Sequence, residues 1–298
     1  MAAPHLFNRE RYKIRRGQRR VAPGFLHEEC GARVLDRLDD IKRTFAKVAV
    51  LAGDDGAFAG NLRQHPAIGE LVRINDRADH QSDIIADLDA LPLPANHFDA
   101  VISSFALHWV NDLPGFLIQA KSMLKPDGLL LIGMPGGNSL HELRTALMQA
   151  EMNVSQGAAV RVPPFVDVRD AGALLQRAGF GLPVSDFDRL TVKYRDLMTL
   201  FQDLRGMGET NPMADAQPRL SPAVLMQMVE LYQSQFGQDG HWPATFDLIF
   251  MTGWKPAASQ PQALKPGSAQ SRLIDALTPP EMKTPPGAKP PAGGDQNK

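Results

Sequence analysis

The sequence predicts an α/β fold, a doubly wound parallel sheet with helices on both faces and a helical extension at the N-terminus. Three observations predict it. The stretch HFDAVISSFALHWVNDLPGFLIQAKSMLKPDGLLLIGMPGG, residues 97–137, holds an apolar run, a helical pattern, a Lys-Pro-Asp-Gly turn and a second apolar run. Both runs are apolar at successive positions, as strands buried on both faces are. Upstream, KVAVLA followed by GDDG and AFAGNLRQH reads as strand, loop and helix, and ELVRIND as a further strand ending in Asp76. Strand after helix after strand implies parallel pairing with right-handed crossovers.

The elements follow in order. Residues 9–20, RERYKIRRGQRR, form a basic segment that reads either as a solvated helix at the start of the fold or as a surface for an anionic partner. A helix covers Phe25–Leu38. The two strands around GDDG come next, then a short third segment, SDIIADLDALPLP, carrying Asp83, Asp87 and Asp89. After the 97–137 unit, helices cover Ser139–Met152 and Val168–Ala178, the latter stopped by Gly179. LTVKY reads as a strand, and MTLFQDLRGMGETN as a helix running into a Gly-Met-Gly turn. Ser221 and Pro222 start a helix through Phe236, with serine as N-cap, and FDLIFMTGWK is the last strand. Nine prolines between Pro256 and Lys298 and little periodicity predict a mostly disordered tail, in which RLIDAL could form a transient helix. The expected organisation is a basic helical segment (1–45), an α/β domain (46–255) and the Pro-rich tail (256–298).

Composition narrows the function. A net charge of −1 favours neither nucleic acid nor a membrane surface as partner. The single cysteine, Cys30, excludes an internal disulfide and any multi-cysteine metal site. No apolar run reaches the roughly 18 residues needed to span a bilayer, and the N-terminus has no apolar signal core. The eight histidines are scattered, so no metal site is expected. No G-x-S-x-G elbow or phosphate loop is present.

A nucleotide cofactor on a doubly wound sheet needs a glycine turn after the first strand, an acid after the second and a polar group near the base. Gly53 and Gly56 supply the turn. Asp76 follows Gly56 by 20 residues, the spacing of a ribose acid. Asp87 follows the third segment, with Leu88 beside it to cover an adenine face. Ala52, Asp54 and Ser104, at the ends of the first and fourth strands, complete the expected cofactor set. His108 and Trp109 follow the fourth strand, on the side where such a fold meets its substrate. Two readings apply to them: His108 touches the substrate as the candidate catalytic residue with Trp109 beside the cofactor, or both brace the following helix. Arg205–Glu209 suits either a lid over the substrate or a glycine-capped helix end.

The order of these features resembles the class I S-adenosylmethionine-dependent methyltransferases, with their Rossmann-like sheet. LFNRERYKIRRGQRR, SSFALHWVNDLPGFL, LKPDGLLLIGMPGGNSLHELR, PPFVDVRDAGALLQRAGF, DLRGMGETN and FDLIFMTGWK resemble more narrowly the methyltransferase-like assembly factors of respiratory complex I. That family is implicated in hydroxylating an arginine of a complex I subunit. The resemblance covers roughly residues 6–255. It implies S-adenosylmethionine as cofactor, and a protein substrate, a respiratory complex I subunit, as partner. A more distant resemblance is to the methyltransferase that caps malonyl-carrier protein. LFNRE matches the start of the family's body, which points to a bacterial cytoplasmic protein rather than one of the mitochondrial matrix.

The glycine loop departs from the family pattern of an acid, one residue and Gly-x-Gly-x-Gly. Val50 stands for the acid, Ala52 and Asp54 for the first two glycines, and only Gly56 is kept. Asp54 puts a side chain where backbone approaches the ligand, although it or Asp55 could pair with the cofactor's ammonium group. Three functions follow: an enzyme that modifies a protein substrate by methylation or hydroxylation, an assembly chaperone on a degenerate methyltransferase fold, or a carrier-protein or small-molecule methyltransferase.

Overall fold

A computed structural model describes residues 5–17, 24–53, 56–79, 81–155, 157–215 and 219–260. The expected tail, with RLIDAL, lies almost wholly outside the described residues, as do Arg19 and Arg20 of the basic segment. The chain divides into two units after Ala258, and every helix and strand described belongs to the first.

Two helices, α1 (Arg9–Gly17) and α2 (Phe25–Asp39), precede the sheet. Then β1 (Phe45–Ala52), α3 (Ala57–Gln64), β2 (Ile68–Asn75) and the two-residue β3 (Ile84–Ile85) form the first half. The 97–137 unit supplies β4 (Phe98–Ser104), α4 (Leu113–Met123) and β5 (Leu124–Gly136). Helices α5 (His141–Ser155) and α6 (Val168–Ala178) lead to β6 (Gly181–Tyr194). Helices α7 (Leu197–Gly206) and α8 (Pro222–Phe236) come before the last strand, β7 (Trp242–Trp254).

The seven strands lie in the order β3-β2-β1-β4-β5-β7-β6. Strands β1 to β5 pair in parallel, as expected. At the far edge β7 runs antiparallel between β5 and β6. The Lys-Pro-Asp-Gly text lies within the span of β5. There the ladder with β4 slips between Phe98 and Ala100, and Asp127 takes a φ of 63°. From Leu124 to Leu129 β5 advances five positions while β4 advances two from Phe98 to Ala100, so three residues stand out of the ladder there.

Alternation along each strand divides the interior. Val48, Val50 and Ala52 face the core under α2, α3, α5, α7 and α8. Ala49 and Leu51 face the core under α4 and α6. Period-two side chains on a buried strand therefore feed two cores, and the continuous apolar runs follow from that. Helix starts obey the capping rules: Asp112 accepts from Gly115 N–H at 2.8 Å ahead of Pro114, and Ser221 Oγ accepts from Val224 N–H at 3.2 Å ahead of Pro222. Gly179 ends α6 with a left-handed φ of 78°, as its position predicts. Strand order reverses between β1 and β4, so a crevice opens at the carboxyl ends of these strands, where ligands of such sheets bind.

Candidate functional site

At that reversal the chain leaves β1 through Ala52 and Gly53. The Gly53 N–H donates to the Ser104 carbonyl at 2.9 Å, which ties the ends of β1 and β4 together. A Cβ on Gly53 would stand 1.8 Å from the Phe105 carbonyl oxygen, so only glycine fits. Gly56 opens α3 with a φ of 107°, a conformation open to glycine and strained for other residues. Val50, in place of the family's acid, is fully buried among apolar neighbours. Asp54 and Asp55 lie outside the described residues. Ser104 is buried at the end of β4, while Leu88 packs into the core under α4 and α6. Asp87 is half-exposed.

Asp76 is where sequence and structure differ most. Its side chain is only 1% exposed, because α1 lies over it. Arg9 Nη2 donates to Oδ2 at 3.0 Å and Arg16 Nη1 to Oδ1 at 2.9 Å. Arg16 also reaches the Ala52 carbonyl at 3.5 Å, and Arg9 the Trp109 carbonyl at 3.4 Å, with Asp87 3.7 Å from the same guanidinium. The reading of a solvated basic helix is thus corrected: Arg9 and Arg16 are buried against the predicted ribose acid. Two charge-assisted bonds offset the desolvation that an isolated buried carboxylate would suffer.

The loop after β2 holds Asp76 in place. Arg73, fully buried in β2, donates to Asp79 at 2.7 Å, and Asn75 and Ser82 donate to the same carboxylate at 2.8 and 2.6 Å. Burial alone would raise the Asp79 carboxyl. The bonds from Ser82, Arg73 and the Gln81 N–H outweigh it and hold Asp79 well below the usual carboxylate range.

On the other side of Trp109 is a cavity of about 270 Å³, walled by Phe105, Leu143, Phe201, Phe246 and other apolar residues. His108, Glu209 and Ser139 are buried polar groups in its wall; Arg161 and Arg205 also line it. Glu209 Oε2 accepts from Trp109 Nε1 at 2.7 Å and lies 2.7 Å from His108 Nε2. His27 Nε2 approaches the other carboxylate oxygen at 3.9 Å. The carboxylate fixes the His108 tautomer with the proton on Nε2. Nδ1 is then a buried acceptor without a hydrogen-bond partner.

Of the residues singled out in the sequence, Gly53, Ser104 and Ala52 meet at the strand ends. Asp76 and Asp87 are joined through Arg9, whereas His108 belongs to the separate cavity. The DLRGMGE segment supplies both a glycine-ended helix, with Gly208 at a φ of 77°, and a cavity wall. His27 and the double arginine seat on Asp76 were not foreseen. Their partners stand 60 or more residues away, and no local spacing signals such a pairing. Among the described residues, no group of three or more His, Cys, Asp or Glu side chains converges to hold a metal, and no helix is long and apolar enough to cross a membrane.

Comparison with known proteins agrees with this architecture. Residues 66–132 match a methyltransferase domain family. The arginine-hydroxylase NDUFAF5 of Danio rerio mitochondria is 38% identical over 265 residues, 84% of this chain and 81% of the relative. The Homo sapiens protein of that name is 37% identical over 279 residues, 87% of this chain and 80% of its own. A malonyl-[acyl-carrier protein] O-methyltransferase of Methylovorus sp. is 32% identical over 268 residues, 82% of this chain and 88% of its own. Among solved structures, a candidate methyltransferase of Bacillus halodurans C-125 superposes with a TM-score of 0.51 at 17% identity, over 76% of this chain and 99% of that one. With a shared fold and more than a third of its residues identical across most of both lengths, the chain belongs to the family of the arginine-hydroxylase NDUFAF5, on a class I methyltransferase fold.

Proposed function

We propose that the chain is an S-adenosylmethionine-dependent enzyme that modifies a side chain of a protein substrate, by methylation or arginine hydroxylation, with a respiratory complex I subunit as the target. The observation that carries the reading is the apolar cavity beside the sheet's carboxyl ends, in which His108 and Glu209 form a buried acid–base pair. Family membership supports it, since the relatives are named for arginine hydroxylation.

The residues present fit the cofactor with one condition. The space beside Gly53 and Gly56 is taken by the Phe105 carbonyl and the Gln81 side chain, so the reading relies on Asp76 and Asp87 as the acids that would meet ribose and base. The condition is that Asp76 give up a guanidinium. When bound, the sulfonium would supply an electrophilic methyl carbon for methylation, whereas hydroxylation would draw its oxygen from dioxygen together with a separate reductant. This chain's residues would align the substrate and keep water out, with the buried His108–Glu209 pair in the cavity wall beside it.

A second reading is favoured by the cavity walls. Their apolar lining suits a carrier-bound acyl group, and a relative is named as a malonyl-carrier methyltransferase.

Calorimetry with S-adenosylmethionine and S-adenosylhomocysteine tests the cofactor. Binding is expected, and Asp76→Ala should weaken it strongly. No heat at about 1 mM ligand, where binding is worth only about 4 kcal/mol, would overturn the enzyme reading in favour of a cofactor-independent assembly chaperone.

A further inference from the structure

Helix α1 is joined to both halves of the site. On one side it holds Asp76 through Arg9 and Arg16. On the other it is tied to residues 210–214. Arg11 donates to the Met213 carbonyl at 2.9 Å, and the backbone pairs Asn8 N–H with Pro212 O and Ala214 N–H with Leu6 O at 2.8 and 2.9 Å. Arg15 reaches the carbonyls of Thr210 and Asn211, two residues that line the cavity directly after Glu209. Phe7 and Tyr12 pack edge-on against Trp109, itself bonded to Glu209.

We propose that α1 is a latch: its Arg9 and Arg16 guanidiniums occupy the ribose acid Asp76, a nucleoside diol displaces them, and release of α1 frees Thr210 and Asn211 in the wall of the substrate cavity. The proposal rests on the reading that the protein takes an adenosyl cofactor.

Three features support it. A ribose diol offers two O–H donors to a carboxylate, and here each Asp76 oxygen already accepts one guanidinium while the side chain is sealed from solvent. A diol that bonds both oxygens therefore competes with the two guanidiniums for that sealed side chain. The seat of Arg9 is also incomplete, because its Nε is buried with no hydrogen-bond partner in the structure. A buried donor left unmade lowers the cost of moving the side chain. Finally, the bonds given above from α1 to residues 210–214 are polar, and Phe7, Tyr12, Trp109 and Met213 form a small cluster of their own, joined to the larger core through Phe165. Such a cluster can part without unfolding the sheet. The latch weakens apparent cofactor affinity by the fraction of molecules in the open state.

Trypsin digestion and calorimetry of the full chain test this. With saturating S-adenosylhomocysteine, cleavage within Arg9–Arg16 is expected to accelerate at least threefold. Adenosine should act in the same direction and 2′,3′-dideoxyadenosine should not. Cleavage that is unchanged or slowed by the ligand overturns the latch. By calorimetry, Arg9→Gln and Arg16→Gln are expected to bind S-adenosylhomocysteine at least threefold more tightly than the wild type, whereas equal or weaker binding overturns the latch. If the wild type binds while the variants gain nothing, the latch fails and the cofactor reading stands. If neither wild type nor variants bind, both fail. Should the variants not fold, the digestion of the wild type decides alone.

Discussion

Glu209 receives the indole N–H of Trp109 at 2.7 Å, across 100 residues of sequence and in the wall of an apolar cavity. The same oxygen faces His108 Nε2, so one carboxylate satisfies two buried nitrogens. Glu209→Leu strands both donors, and each buried donor left unmade costs about 1–3 kcal/mol. A loss of about 2–5 kcal/mol is expected in urea unfolding. Glu209→Gln, which keeps an acceptor oxygen, should lose less. In a double-mutant cycle with Trp109→Phe, the losses should be less than additive.

Gly53 and Gly60 make a matched pair. A methyl at Gly53 meets the Phe105 backbone carbonyl, which cannot move without shifting the end of β4. Gly53→Ala should therefore destabilise by about 2 kcal/mol or more and abolish adenosyl-ligand binding. Gly60 lies inside α3 with nothing within 4 Å of its would-be Cβ. Gly60→Ala should stabilise by about 0.5–1 kcal/mol, from backbone entropy alone. Thermal melts of the two variants check both signs.

The Asp79 carboxyl is held below its ordinary range, so the stability that it adds is complete above the unfolded-state pKa of about 4. It is lost as pH falls further, toward the folded-state value. The Tm gap between wild type and Asp79→Asn should be constant near neutrality and shrink progressively below about pH 4. A gap that instead widens on acidification would show that Asp79 is not the group responsible.

Cys30 is fully buried, and desolvation pushes its thiol up to about 12 against weaker opposing bonds from Ser104 and Phe105. Thiolate is the reactive form. Alkylation at pH 8 should follow the unfolding rate, and a fast phase in native conditions would contradict this burial.

How far the site is legible in the sequence depends on distance along the chain. The parallel half of the sheet reads directly, because strands buried on both faces leave uninterrupted apolar text, as in β4 and β5. Caps at Ser221 and Gly179 read equally well, since capping is a property of a few neighbouring residues. Of β6, only LTVKY reads as a strand, although it starts at Gly181. Its earlier part is an exposed edge carrying Asp186 and Asp188, which count against a strand until Arg37 and Arg33 of α2 are seen to pair with them. Asp76 is legible as an acid at a strand end, but its arginine partners are not, because their register against β2 is set by tertiary packing alone.

The stitching of Arg11 and Arg15 to carbonyls some 200 residues later has a consequence for biosynthesis. Contacts of such long sequence separation form last, since loop closure must precede them. On the ribosome, the β1–β5 region can assemble while the mouth of the cavity is still missing, and the N-terminal helix must wait for residues 210–214 before it can settle. The molecule thus acquires the β1–β5 half of its sheet before the cavity wall at Glu209, so a nascent chain stalled before Glu209 would carry Trp109 and His108 without the carboxylate that both contact.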